Sequence, residues 1–180
     1  MTSTISSNKV ALKWSLIYVI VAIFLTYVYQ FLNVDQTSGV KYINYIPLIA
    51  FMLLAQKEYK DQLGGYLTFG QGFLTGFKYS VIIGVLMAIF MYIYWTLLSP
   101  QIFQEILDQT KAKLEAQGNL TDDQIKMGMT FTTAGIFSVS ILIGSLIFGS
   151  IISLIGAAIF KKDKPPFVVD ESVPYSDPAV

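Results

Sequence analysis

Four long apolar stretches, separated by clusters of charged residues, make up most of this chain. Residues 14–34, between Lys13 and Asp35, form a charge-free run of 21, and residues 42–56, between Lys41 and Lys57, a run of 15. Residues 79–104 add 26, and residues 127–160 add 34. A hydrocarbon core about 30 Å thick takes roughly 20 apolar residues as a helix. The first, third and fourth runs meet that length, and spans are predicted over about 12–32, 74–98 and 134–160. The second run is short, roughly 22 Å at about 1.5 Å per residue. Lysines at its flanks can reach outward and the bilayer can thin, while Pro47 near its start is tolerated in a first turn. A short span over 41–56 is therefore expected, with a re-entrant segment as the other reading.

Aromatic residues gather near the ends of these runs, as in interfacial belts: Trp14 and Tyr18 against Tyr27 and Tyr29, then Tyr92, Tyr94 and Trp95. The first run is longer than the apolar part of a cleavable leader, and Tyr29-Gln30-Phe31-Leu32-Asn33 lacks small residues for cleavage. It is expected to remain as an anchor. With four spans, one side carries Lys9, Lys13, Lys57, Lys60, Lys161, Lys162 and Lys164, with Lys78 at its edge. The other side carries Lys41, Lys111, Lys113 and Lys126. The excess of lysine on the first side places both termini in the cytoplasm.

Between the third and fourth spans, residues 99–132 read as a soluble helical hairpin. Ser99-Pro100 suits a helix start, and Ile102, Phe103, Ile106, Leu107 and Leu114 form an apolar stripe at helical spacing. Gly118 suits a stop. Thr121 and Gln124 make a capping box with Leu120 and Ile125 placed as its staple. The stripe needs cover from its own chain, a second copy, a partner protein or the bilayer surface. Asn119-Leu120-Thr121 also matches a glycosylation sequon, which has meaning only in a eukaryotic secretory setting. Four prolines from Pro165 to Pro178 accompany acidic residues, and 168–180 is expected to be a disordered cytoplasmic tail.

Composition sharpens the class. Charged residues make up 13% of the 180 residues and hydrophobic residues 54%, with a mean hydropathy of +0.58. Soluble domains carry about 25% charged residues. Twelve lysines balance twelve acids, and Arg, His and Cys are absent. The chain therefore lacks the basic excess of a nucleic-acid binder, the usual ligands of zinc, haem or iron–sulfur sites, and the residues of Cys- or His-based catalysis. No cofactor is expected. No acid lies within a predicted span, so a proton-coupled transporter would lack its usual carboxylate.

Small residues recur every fourth position in the third span, at Gly72, Gly76, Ser80, Gly84 and Ala88. The fourth span repeats the pattern at Ser145, Gly149, Ser153 and Ala157, with Ser138 a heptad before. Such stripes allow close backbone approach, against the other helix of the same chain or against a second copy. Lys78 is the one ionisable residue that intrudes on a span, near its cytoplasmic end, and reads as a snorkelling anchor. Lys161, Lys162 and Lys164 read as a stop-transfer flank that can also attract anionic headgroups. The glycine-rich segment Gly64–Gly72 lacks the strand and the Gly-Lys-Ser/Thr ending of a phosphate cradle, and reads as an interfacial turn.

Three stretches together carry a resemblance. Gly64-Gly65-Tyr66-Leu67-Thr68-Phe69-Gly70-Gln71, the hairpin segment Leu120-Thr121-Asp122-Asp123-Gln124-Ile125, and Gly149-Ser150-Ile151-Ile152-Ser153-Leu154-Ile155 with the following Lys161-Lys162-Asp163-Lys164-Pro165 resemble a bacterial membrane protein family, domain of unknown function 4199. The resemblance covers roughly residues 8–167. It implies four spans, a bacterial inner membrane and a hairpin between the last two helices, and brings no catalytic or binding residue with it.

The expected protein is thus all-α, a single four-helix membrane domain over 1–167. Its expected role is non-enzymatic, structural or protein-interacting through residues 99–132, as a homo-oligomer or with a membrane protein partner. The alternative is an oligomeric channel or small-solute transporter, with Thr75, Ser80, Ser138, Ser145 and Ser153 along the path. An enzyme would need chemistry from Lys, Asp or Tyr at the membrane surface.

Overall fold

In the computed structural model, the described residues are 6–32, 39–116, 118 and 120–164. The expected tail over 168–180, the Lys41 side chain and Asn119 lie outside them. Six α-helices follow in order: α1 Ser7–Phe31, α2 Tyr45–Gln62, α3 Phe69–Ile93, α4 Pro100–Ala116, α5 Asp122–Thr130 and α6 Ala134–Phe160. A 3-10 stretch, Gly39–Asn44, leads into α2.

The starts and stops follow local chemistry. Thr68 caps α3 by accepting from the Gln71 backbone N–H, while Gln71 Oε1 accepts from the Thr68 N–H. This reciprocal cap starts the helix at Phe69, five residues before the expected span. At the end of α2, Gly64 N–H donates to the Asp61 carbonyl and Gly65 N–H to that of Lys60. Both glycines have positive φ, +77° and +86°, so side-chain-free residues make this double closure inexpensive. At the far end of α3, Tyr94–Leu98 widens into a π turn, with Ser99 N–H donating to the Tyr94 carbonyl at 2.7 Å.

Among the described residues, three helical segments are long and apolar enough to cross a membrane: Ser7–Phe31, Phe69–Leu98 and Ala134–Phe160. The second charge-free run takes a different form from the expected 41–56 helix. Its first residues join the 3-10 stretch, and α2 continues past the run through Lys57, Glu58, Lys60 and Asp61. Those charges ride on the last turns of a helix whose apolar part is correspondingly short.

Helix α3 is the centre of the packing. It lies against α6 along most of its length and against α1 and α2 on its other sides, and α2 also touches α6. Ala11, Tyr18, Val19, Ala22, Met52, Tyr79 and Ile83 form the core between α1, α2 and α3. A second cluster, Tyr94, Trp95 and Phe103, joins the π turn to α4 and the start of α6. Outward faces of α1, α3 and α6 remain apolar, with Phe24, Ile89 and Ile159 all exposed. A surface that apolar in water would be a large liability; against lipid it is the ordinary outside of a helix.

Candidate functional site

Gln56 carries a fully buried amide on the inner face of α2, with Met52 and Ala55. Its amide nitrogen donates to the carbonyl oxygens of Gly72 on α3 and Ser153 on α6, both at 3.0 Å. Two carbonyl acceptors settle the orientation of the amide, since its nitrogen alone can donate. The amide oxygen then faces Gly156 and has no hydrogen-bond partner. Ser153 Oγ in turn donates to the Phe73 carbonyl at 2.7 Å. One amide and one hydroxyl thus tie α2, α3 and α6 together.

Small residues make room for this junction. A Cβ on Gly76 would strike Ser153 Oγ and, at 2.8 Å, Gln56 Nε2, and a Cβ on Gly156 would overlap the Gln56 amide oxygen. Gly72 faces Ala157, whose Cα and Cβ lie 3.1 Å from the position of an added Cβ. Further along, Gly149 faces Ser80 and Gly84 faces Ser145. The structure therefore brings together Gly72 with Ala157, Gly76 with Ser153, Ser80 with Gly149, and Gly84 with Ser145. Ala88, half-buried, continues the α3 face by one more turn. At each of the four paired levels one partner is a glycine, so the two backbones approach without a gap.

Hydroxyls along these helices donate to main-chain carbonyls. Thr75 donates to Gln71, Ser80 to Gly76, Ser138 to Ala134 and Ser145 to Leu142, at 2.8–3.0 Å. With Ser153, these are the five residues named for a solute path. In the single chain each has its one proton in a helix carbonyl bond, and Thr75, Ser80, Ser138 and Ser153 are buried.

One end of the bundle collects the lysines. Lys13 on α1 pairs with Glu58 on α2, which also accepts from Trp14 Nε1 at 2.7 Å and from Gln62 at 3.1 Å. Burial pushes the Glu58 carboxyl up, but the bonds from Lys13, Trp14 and Gln62 and the Lys13 charge outweigh it and hold the group below its ordinary range. Leu67 and Lys162 exchange backbone hydrogen bonds, both 2.9 Å, which pins the start of α3 to the end of α6. The Lys162 ammonium lies 5.4 Å from the centre of the Tyr66 ring, and Lys60 lies 6.0 Å from that of Phe160. Lys161 pairs with Asp163 at 3.0 Å, and Lys164 is exposed. Lys78 is half-buried and donates to Ser7 Oγ of α1 at 2.9 Å.

At the opposite end, Thr121 and Gln124 form the reciprocal cap of α5, at 2.9 and 3.4 Å. The α4 stripe lies on its own chain: Phe103 meets Trp95 and Phe137, with Ile102, Ile106 and Leu107 around them. Tyr94 OH donates to Gln30 Oε1 at 3.0 Å, and Gln30 Nε2 to Ser99 Oγ at 3.1 Å, which joins the end of α1 to this cluster. On α5, Ile125 is buried, whereas Met127 and, just beyond the helix, Phe131 are 65% and 63% exposed.

Sequence reasoning passed over Gln56. It is the last residue of its charge-free run and precedes Lys57, so it resembles one more polar residue at the interface. The useful signal is its place on the Met52-Ala55-Gln56 face, at helical spacing, which points inward.

Taken together, an all-α chain with three long apolar helices and lysine gathered at one end points to a membrane protein. The family model described as a protein of unknown function, DUF4199, matches residues 13–162, and the chain belongs to that family. Neither the curated proteins nor the solved structures contain a match to it.

Proposed function

We propose that this is a non-enzymatic, multi-pass protein of a bacterial inner membrane, a compact helical scaffold that makes protein contacts through its α4–α5 hairpin. In this reading α1, α2, α3 and α6 all span, both termini are cytoplasmic, and the hairpin lies outside the cytoplasm. The single observation that carries it is the engagement of the interior hydroxyls of α3 and α6 within the chain. The hydroxyls of Thr75, Ser80, Ser138, Ser145 and Ser153 all donate to helix carbonyls, so their protons are already placed within the chain, which supports a packing role for them. The α4 stripe is covered by the chain itself, and the apolar surface left on the hairpin is that of Met127 and Phe131. Their side is the natural place for a partner.

Photo-crosslinking from position 127 in intact cells tests the proposal. A reproducible adduct with one membrane protein, lost on Phe131→Asp, is the expected result. Adducts confined to lipid, or no adduct, would remove the interaction role. Selective solute flux through vesicles containing the purified protein would instead establish the passage reading.

A further inference from the structure

A groove of about 370 Å³ opens between the start of α1 and the first half of α3. Its walls are Leu74, Phe77, Val81 and Ile82, and Asn8 and Lys78 provide its polar groups. On α3 these residues share one helical stripe, at positions 74, 77, 78, 81 and 82, with the lysine at its middle. Lys78 lies nine residues into α3, about 13 Å along the axis from Phe69. A cation so placed needs a partner, since an ammonium beside hydrocarbon is costly.

The chain gives it little. Lys78 donates to the Ser7 hydroxyl, a neutral acceptor, and an ammonium has three protons to place. No carboxylate pairs with it among the described residues; Glu58, the acid on the neighbouring helix end, already serves Lys13, Trp14 and Gln62. Asn8 lines the same groove, and its side-chain amide carries two further donors. Apolar walls that end at a cation and an amide match one molecule with a hydrocarbon chain and an anionic head.

We propose that this groove is a binding site for an anionic phospholipid. Its acyl chain lies over Leu74, Phe77, Val81 and Ile82, and its phosphate accepts from Lys78 and Asn8. The lysine-rich end of the bundle adds a favourable field for the same charge. The proposal rests on the membrane reading given above.

The test uses the full chain in vesicles that contain a photoactivatable phospholipid with either a phosphatidylglycerol or a phosphatidylcholine head. Label is mapped by peptide mass spectrometry. Phe24 and Ile147, exposed and apolar and away from the lysine-rich end, report on general lipid contact and should take label equally from both lipids. Segment 74–82 should take about fivefold more from the anionic lipid, the preference of roughly one lysine–headgroup contact. Lys78→Gln should bring the two lipids level, while Lys78→Arg should keep the preference.

Equal labelling of 74–82 by both lipids in the parent protein would overturn the site, and needs no variant to fold. So would a preference that survives Lys78→Gln. Absence of label at Phe24 and Ile147 as well would show that the helices are not in the bilayer, which is failure of the membrane reading itself.

Discussion

Gln56 and Ser153 stand 97 positions apart in sequence, yet the amide of the first donates to the carbonyl of the second at 3.0 Å. The same amide nitrogen reaches Gly72. Replacing Gln56 by Ala removes both bonds and leaves a void where three helices meet. Interhelical side-chain bonds in membranes contribute about 0.6–2 kcal/mol, and the void adds to that. Gln56→Ala should cost about 2 kcal/mol in a denaturant titration in detergent, and Gln56→Met, which keeps the volume, about half as much. A Gln56→Ala protein as stable as the parent would show that the amide does not hold the junction.

Glycine positions on the α3–α6 contact should be intolerant in a graded way. Gly149→Ala places a Cβ against both Oγ and Cβ of Ser80, and Gly76→Leu drives a larger group into Ser153 and Gln56. Overpacking of this kind costs about 1–3 kcal/mol. Gly135→Ala, with open space at its Cβ position, should be neutral or slightly stabilising. Ser80→Gly should partly rescue Gly149→Ala, whereas Ser80→Ala should not, because its Cβ remains in the way. Thermal unfolding of the five variants in one detergent checks the series.

Acid should loosen the lysine-rich end. The Glu58 carboxyl is held below its ordinary range by Lys13, Trp14 and Gln62. A carboxyl of this kind stabilises the fold in full above its unfolded value, and the contribution disappears as pH falls through the folded value. With Lys13 half exposed, the effect should stay within about 1 kcal/mol. Unfolding temperature should therefore drop less between pH 6 and pH 3 in Glu58→Gln than in the parent. Parallel pH profiles for the two would exclude this contribution.

Trp95 packs its ring against both Phe103 and Phe137, with centroids at 5.7 and 6.0 Å in a triangle closed by the Phe103–Phe137 contact, and its Nε1 has no partner among the described residues. The ring therefore matters and the N–H does not. Trp95→Phe should cost about 1 kcal/mol or less, and Trp95→Ala about 3–5 kcal/mol. Protease cleavage within α4 should become faster in the alanine variant and stay nearly unchanged in the phenylalanine one.

Topology is directly readable because the chain has no cysteine. Single cysteines at Lys60 and Lys164 should resist an impermeant maleimide in intact cells, and one at Asp123 should react. Labelling at Lys60 without permeabilisation would overturn the four-span arrangement, since it would move the end of α2 to the outer side.

Long elements were legible because charge-free runs and helix caps are local signals. Lysines bracket the apolar helices, and Thr121 with Gln124 announces the start of α5 within four residues. The start of α3 is equally local, in Thr68 and Gln71, but the glycines around it fit a turn as well as a helix start. The second run was harder, since charge marks where a helix meets water and not where it stops. α2 carries Lys57 to Asp61 on its final turns, where Glu58 finds Lys13 and Trp14 on α1. Small-residue periodicity showed two faces suited to close contact, yet nothing in spacing alone says which face each meets. Gln56 was invisible for the same reason: its partners are backbone carbonyls of distant helices, and a carbonyl leaves no mark in sequence.

The Gln56 junction also orders events during synthesis. Gly72 leaves the ribosome soon after Gln56, but Ser153 follows almost a hundred residues later. Until α6 arrives, the amide on α2 has half of its acceptors and the glycine face of α3 lies open to lipid. A nascent chain that stalls in the hairpin therefore leaves the Gln56 nitrogen with the Gly72 carbonyl alone and the glycine face of α3 without its α6 partner.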